Sequence, residues 1–547
     1  MDRRLFFNGF SQPGLRSTRK LNSGIAPYTG TWGYTHVKHL LNRALFGATE
    51  QDIQYFMGLT PDAAVNELLT PVALPSPPVN NYSSVYNDTD VAAGQTWVNS
   101  TMINTNSALA TSFRRDSFKA WWYGLMLNQN RSIHEKMTLF WHNLFATEAD
   151  MIPAAQPVYI TNNTLRTHAL GNFKTLTKQV TLDPGMLYYL NGYLNGATAP
   201  DENYARELQE LFTVGKGPGS GYTEDDVKAA ARVLTGYRIN YLNITTYFDA
   251  NQHNTTNKQF SAFYGNTVIN GQSGAAGANE LDSLLDMIFS TQEVAKYICR
   301  RLYNFFLYYE IDQDTETNVI EPLADIFRTN NYDIIPVLAA FFKSEHFYDA
   351  ANFGCLIKNP LDFTVGLFRV FGSAFPATSD YNTSYDVWGY VQRQTATMGM
   401  EIGDPPAVAG WPAYHQEPLF HELWINSDTL SKRIAFVRDM MGNGYTSNGF
   451  TLKLDLLAFV AGLPNPSDPN LLISELTDLL YSIPVSQTYK DFLKGMLLNG
   501  QTMDYIWSNA WNDYVSDPLN QTFLTVVQTR LESLFDYMLT QAEFHLI

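Results

Sequence analysis

The sequence predicts a mainly α fold: a multi-helical single core with long Asn-, Pro- and Gly-rich loops and at most a small β-hairpin. Three observations lead there. Apolar residues recur at helical spacing over most of the chain, as in Tyr204, Ala205, Leu208, Leu211 and Phe212, which share one face of a 3.6-residue helix. Helix-start signals precede several of these runs. Between them lie stretches of Pro, Asn, Ser, Thr and Gly that favour turns over regular structure.

In chain order, Thr35 can cap a helix reaching about Phe46, and Thr60-Pro61 opens a second through Leu69, with proline at its first position. Residues 71–108 form a long surface excursion. Helical pattern resumes at Phe113 and runs to Leu182, with breaks at 128–131 and 152–157. A helix over Asn203–Phe212 ends in GKGPGSG, read as a helix stop and linker because the Lys-Ser/Thr ending of a phosphate loop is missing. Residues 239–279 read as loop with a hairpin around YLNITTYF, and helices follow at about 280–309, 317–329, 333–344 and 358–372. A further excursion spans 373–423, and the chain from Thr429 is again mainly helical. The expected organisation is a basic arm over 1–34, a helical core over 35–436 and C-terminal helices over 437–547 packed on that core.

The chain has 547 residues, 16% of them charged, with a formal net charge of −17, so a phosphate backbone would meet a repulsive field and nucleic acid is disfavoured as a partner. Its 14% aromatic content leaves rings available for stacking on carbohydrate or peptide. Cys299 and Cys355 are the only cysteines, so there is no disulfide framework, although two cysteines allow a single bridge; Cys299, in AKYICRRLYNFF, reads as a small buried thiol. No run of about 18 apolar residues exists that would span a membrane. MDRRLFFNGF resembles the start of a twin-arginine signal, but SQPGLRSTRKLNSG stands where an apolar segment belongs, so the location stays open and the arm is expected to be flexible or docking.

The most informative stretch is 201–237. ENYAREL-x-ELFT-x-G followed by YTE-x-D-x-x-x-AAR-x-LTGY resembles the bacterial domain-of-unknown-function 1800 family. HLLNRALFG (39–47), EKMTLFWHNLF (135–145), FDANQHNTTNKQF (248–260), IKNPLDF (357–363), PPAVAGWP (405–412) and WINSDTL (424–430) occur in the family's order, from about His36 to about Phe436. The resemblance implies a helical fold without an assigned reaction, frequent export, and a sulfatase-like protein as candidate partner. Where the family's histidine is commonly followed by an acid, this chain has Asn254.

Candidate site residues come from four segments. Glu207 lies at the edge of the apolar face and escapes both the Glu202–Arg206–Glu210 ladder and the acidic-first-turn explanation, so it is a candidate base or oxygen ligand, with Asn203, Arg206 and Glu210 beside it for substrate. His142 sits inside a helix with apolar residues on most sides, and His253 sits in a loop; both are candidate proton carriers, with Lys258 of the same loop a candidate for binding substrate. His39 and Arg43 share a helix face that can take an anion or carboxylate, and Trp411 can wall a cleft or plug the core. Glu207, Asp249 and His253 are the candidate ligands for a divalent metal, although HExxH spacing is absent. Ser132 and Glu135 have capping-box spacing, which accounts for Glu135 without chemistry, and capping by Ser427 or Asp428 is the simple reading of WINSDTL, although Asn426 can reach the same region as Trp411. Two functions compete: a hydrolase- or lyase-like enzyme built on these Glu, His and Arg residues, and a non-catalytic helical scaffold for a partner protein or surface polymer.

Overall fold

The computed structural model describes residues 23–100 and 108–547, and the basic arm residues Arg3, Arg4, Arg16, Arg19 and Lys20 lie outside that range. Helices α1 (Tyr34–Ala44), α2 (Glu50–Met57) and α3 (Pro61–Leu68) lead into α4 (Ala108–Leu127), α5 (His134–Leu144) and α6 (Ala155–Thr167). One continuous cluster of buried apolar side chains runs from Val37 to Phe544, so helices distant in sequence share a core. Full burial of each large side chain in it contributes on the order of 2 kcal/mol.

Local chemistry sets the boundaries. Thr60 caps α3 by accepting from the Ala63 amide at 3.2 Å, with Pro61 in the first turn. The expected cap at Thr35 is replaced by Gly33, which offers no side chain. Asn426, and not Ser427 or Asp428, caps the helix Ser427–Met441, and Thr429 completes a capping box with it.

Three small antiparallel pairs are present among the described residues, more than the single hairpin expected: Tyr237–Asn240 with Thr245–Phe248, Lys258–Gln259 with Val268–Ile269, and Tyr445–Ser447 with Phe450–Leu452. The loop expected over 373–423 contains a helix, Tyr381–Thr397, that packs along α4. Its spacing was obscured because both apolar and polar faces are buried, Ser384, Gln392 and Thr395 included.

The stretch Asn203–Thr213 begins as α-helix and widens at Leu208–Thr213 into a π-helix. The wider turn frees carbonyls from the ordinary ladder, and the Leu211 carbonyl accepts instead from the Tyr297 hydroxyl at 2.8 Å. Gly215 then stops the helix at φ +84°, with the Tyr297 ring 2.4 Å from where a Cβ would stand.

Two contacts tie the C-terminal end of the chain to earlier segments. The Ile547 amide bonds the Leu356 carbonyl at 2.8 Å, and Arg438 forks onto Asp536 at 2.6 and 3.1 Å. Both cysteines are free: Cys299 is buried and Cys355 half-buried. Among the described residues no helix is long and apolar enough to cross a membrane.

Candidate functional site

A cleft of about 970 Å³ lies between the Gly217–Gly219 loop, the helix Gln292–Phe306 and the loop after PPAVAGWP. Four cations line it. Lys216 pairs with Glu210 at 2.6 Å, Lys296 with Glu321 at 2.6 Å, and Arg300 with Glu293 and Glu316. Arg301 has no acidic partner among the described residues; it lies close enough to His415 to add to the lowering of that imidazole's pKa caused first by burial. Tyr297, Tyr309, Tyr414 and Phe420 supply aromatic walls, and Glu417 is an exposed acid at the edge.

Asn304, Tyr309, Tyr414 and Phe420 also line a small inner chamber of about 30 Å³, so the cleft narrows into it. There Lys136 of α5 is ion-paired with Asp362, both nearly buried. Burial lowers the Lys136 pKa and the Asp362 carboxylate works against that shift. Asn359 donates to Asp362 at 2.8 Å and to the Tyr414 hydroxyl at 2.9 Å. The Ile357 amide donates to His421 Nδ1 at 3.1 Å, which puts the imidazole proton on Nε2. Burial lowers the His421 pKa to about 4, with Arg43 adding to the shift, so the ring is neutral near pH 7. Asn304 Oδ1 is buried with no hydrogen-bond donor among the described residues.

This chamber draws on segments spread over the whole chain. HLLNRALFG contributes Asn42 and Arg43, EKMTLFWHNLF contributes Lys136, IKNPLDF contributes Asn359 and Asp362, and WINSDTL contributes Trp424. PPAVAGWP acts as the clamp beside them. Gly410, at φ +86°, lets the loop pass where a Cβ would stand 2.4 Å from the Asn143 carbonyl, and the Trp411 amide donates to Asn143 Oδ1 at 3.0 Å.

The residues expected from the sequence fall in separate places. Glu207, His142 and His253 share no hydrogen-bond partner, ring contact or cavity among the described residues, so they do not form one catalytic group. Glu207 is half-buried, with no ion-pair partner among the described residues; burial, then Glu210, raises its pKa, but it does not line the cleft. His142 is caged between the rings of Trp122 and Trp411, at 5.3 and 5.6 Å, and burial lowers its pKa to about 4. Trp411 is 1% exposed, so it is a plug and no substrate wall.

His253 belongs to a closed network. Its Nε2 meets Glu280 at 3.1 Å and its Nδ1 donates to the Thr235 carbonyl at 2.9 Å, while Lys258, fully buried, is ion-paired with the same Glu280. Lys258 therefore holds the loop and is not free for substrate. Asn254 stands where the resemblance implies an acid, and Glu280 from the next helix supplies the carboxylate. Asp249 accepts from the Asn251 amide at 3.0 Å, and among the described residues no three His, Cys, Asp or Glu side chains gather in a metal-holding group, so Glu207, Asp249 and His253 form no ligand set.

His39 and Arg43 are buried, not a solvated anion strip: His39 Nε2 donates to the Phe347 carbonyl at 3.1 Å, and Arg43 donates to carbonyls of Asn352 and Ile547. Arg206 forms the expected bond to Glu202 at 3.2 Å but grips Glu224 more closely, at 2.7 and 2.6 Å, and Glu210 turns to Lys216. Asn203 is exposed and donates to the Leu190 carbonyl at 3.2 Å. Of these residues, Glu210 reaches the cleft and Arg43 the inner chamber.

Glu135 requires a correction of a different kind. Ser132 Oγ accepts from His134 and no capping box forms; Glu135 instead takes Arg166 bidentately at 2.7 and 3.0 Å and the Trp122 indole N–H at 2.9 Å. Lys136, Asp362 and His421 also belong to the site, and none of them stands out in the sequence. Asn359 and Asp362 have helix-start spacing, and Asn359 does cap, so their second use carries no separate signal.

No curated protein and no solved structure matches this chain. A family model described as "Protein of unknown function (DUF1800)" matches residues 39–546, reaching past Phe436 and through the C-terminal helices. Four of the landmark segments meet at one chamber, the family model covers nearly the whole chain, and the protein belongs to the DUF1800 family.

Proposed function

We propose that the cleft and its inner chamber are the active site of a hydrolase- or lyase-like enzyme acting on a small anionic organic substrate. The observation that carries this reading is the convergence of Asn42, Lys136, Asn359, Asp362 and Trp424, from four separated segments, on a small chamber that shares part of its lining with a ligand-sized cleft. Arg301 is the cation available to the substrate anion. Lys136 and Asp362 hold a proton between them in a desolvated setting, which suits acid–base work, and neutral His421 offers an Nε2–H to developing negative charge.

The scaffold reading rests on another observation. Leu471, Phe492, Met503, Tyr505, Val515 and Leu519 are large apolar side chains left exposed in the C-terminal region, which suits a protein partner such as the sulfatase-like one. Thermal-shift titration of wild type and Arg301→Gln with sulfate, phosphate and citrate separates the two. The enzyme reading expects at least one anion to stabilise the wild type, with about tenfold weaker apparent affinity in the variant. Equal responses, or none, would refute the cleft as an anion site and favour the scaffold.

A further inference from the structure

A second cavity, of about 540 Å³, shares no lining residue with the cleft or the inner chamber. Its walls are Trp121 and Leu125 of α4, Tyr381, Tyr385 and Trp388 of the facing helix, and the strap Pro75-Ser76-Pro77. The strap is fastened to this aromatic wall, because the Trp121 indole donates to the Ser76 carbonyl at 2.9 Å and the Val79 amide to the Tyr385 hydroxyl at 3.2 Å. The volume falls within the range of about 300–1,000 Å³ typical of ligand pockets, and mostly apolar walls with a few fixed polar groups are their usual construction.

Two residues of the lining each carry a buried polar atom without a partner among the described residues. His134, 6% exposed, donates through Nε2 to the Arg166 carbonyl at 2.8 Å, and burial keeps the ring neutral, so Nδ1 is an acceptor; it has no donor. Trp388, 4% exposed, has an indole N–H with no acceptor. Buried polar atoms are nearly always hydrogen-bonded, so an orphan donor and an orphan acceptor on residues lining one cavity point to a missing partner. Among the described residues no Lys or Arg lines the cavity, and Glu135, its one carboxylate, is already held by Arg166. An ionic ligand would find no counter-charge there.

We propose that this cavity binds an uncharged carbohydrate of one or two sugar rings. A sugar hydroxyl both donates and accepts, and so can satisfy His134 Nδ1 and Trp388 Nε1 once small rotations open these buried atoms to the cavity, while the C–H faces of the ring lie against the indoles and phenols. A purely aromatic ligand would fill the walls and leave both orphans unpaired. The site is separate from the anion cleft and stands whether or not that cleft is catalytic.

The test is calorimetric titration of the full chain with maltose, cellobiose and N,N′-diacetylchitobiose, with glucuronate, indole and a proline-rich peptide as comparisons. Ser379, which lines the cavity and is exposed, can be changed to Trp to fill the space without disturbing the core. Trp388→Phe removes the indole N–H and keeps a ring. The expected result is millimolar or tighter binding of a neutral disaccharide, abolished in Ser379→Trp and weakened about tenfold in Trp388→Phe, with unchanged thermal midpoint in Ser379→Trp. Failure of every neutral sugar to bind, binding that survives Ser379→Trp, or binding of indole, glucuronate or peptide in preference to sugar would overturn the proposal.

Discussion

His142 gives the protein a specific sensitivity to acid. The imidazole is 4% exposed, lies between two indoles, and has no hydrogen-bond partner on Nε2 among the described residues; burial alone lowers its pKa from 6.5 to about 4. In the unfolded chain the ring binds its proton near pH 6.5, so between that value and about pH 4 the unfolded state holds more protons than the folded one. The contribution of His142 to stability is therefore complete above pH 6.5 and is lost as the pH falls towards 4. Going from about pH 7.5 to about pH 4.5, the lost stability is about 2.5 kcal/mol. His421, with the same lowered value, adds a loss of its own, so the comparison must be made against a variant. His142→Phe keeps an aromatic ring between the tryptophans and removes the titration. Urea unfolding of both proteins at the two pH values should show the variant losing about 2.5 kcal/mol less than the wild type. Equal losses would mean that His142 is not a buried neutral group, and the caged geometry would be wrong.

Two further substitutions test packing against the helix α5. Glu135→Gln leaves the fully buried Arg166 without its counter-charge, and unfolding measurements should show a loss of about 3–5 kcal/mol; a loss below about 1 kcal/mol would restore the simple capping role. Gly410→Ala places a Cβ against the Asn143 carbonyl at a positive φ, and should destabilise by about 2–4 kcal/mol in the same assay. An unchanged midpoint would show that the PPAVAGWP loop is not clamped to α5.

Much of the architecture was legible because it is local. Thr60-Pro61 reads as a helix start because its hydroxyl and ring act on amides within one turn. Cys299 reads as core because apolar residues surround it at helical spacing, and burial does push its thiol pKa up. The π-turn at Leu208–Thr213 was not legible, since the hydroxyl that takes up its freed Leu211 carbonyl belongs to Tyr297, 86 residues away. The candidate site was read far less well. Glu207 stood out because no local partner explained it, yet the residues that gather at the chamber mostly had local explanations that were also true, as with Asn359.

Residue order alone shows that the chain is mainly helical, which segments mark its family, and where many helices start, because spacing and capping depend on neighbours a few residues away. Packing in three dimensions settles that Lys136 meets Asp362, that Glu280 meets His253, and that Arg301 lines the cleft with no carboxylate partner among the described residues. These outcomes depend on which charges are desolvated together, and burial of pairs 226 and 27 residues apart is a property of the packed core.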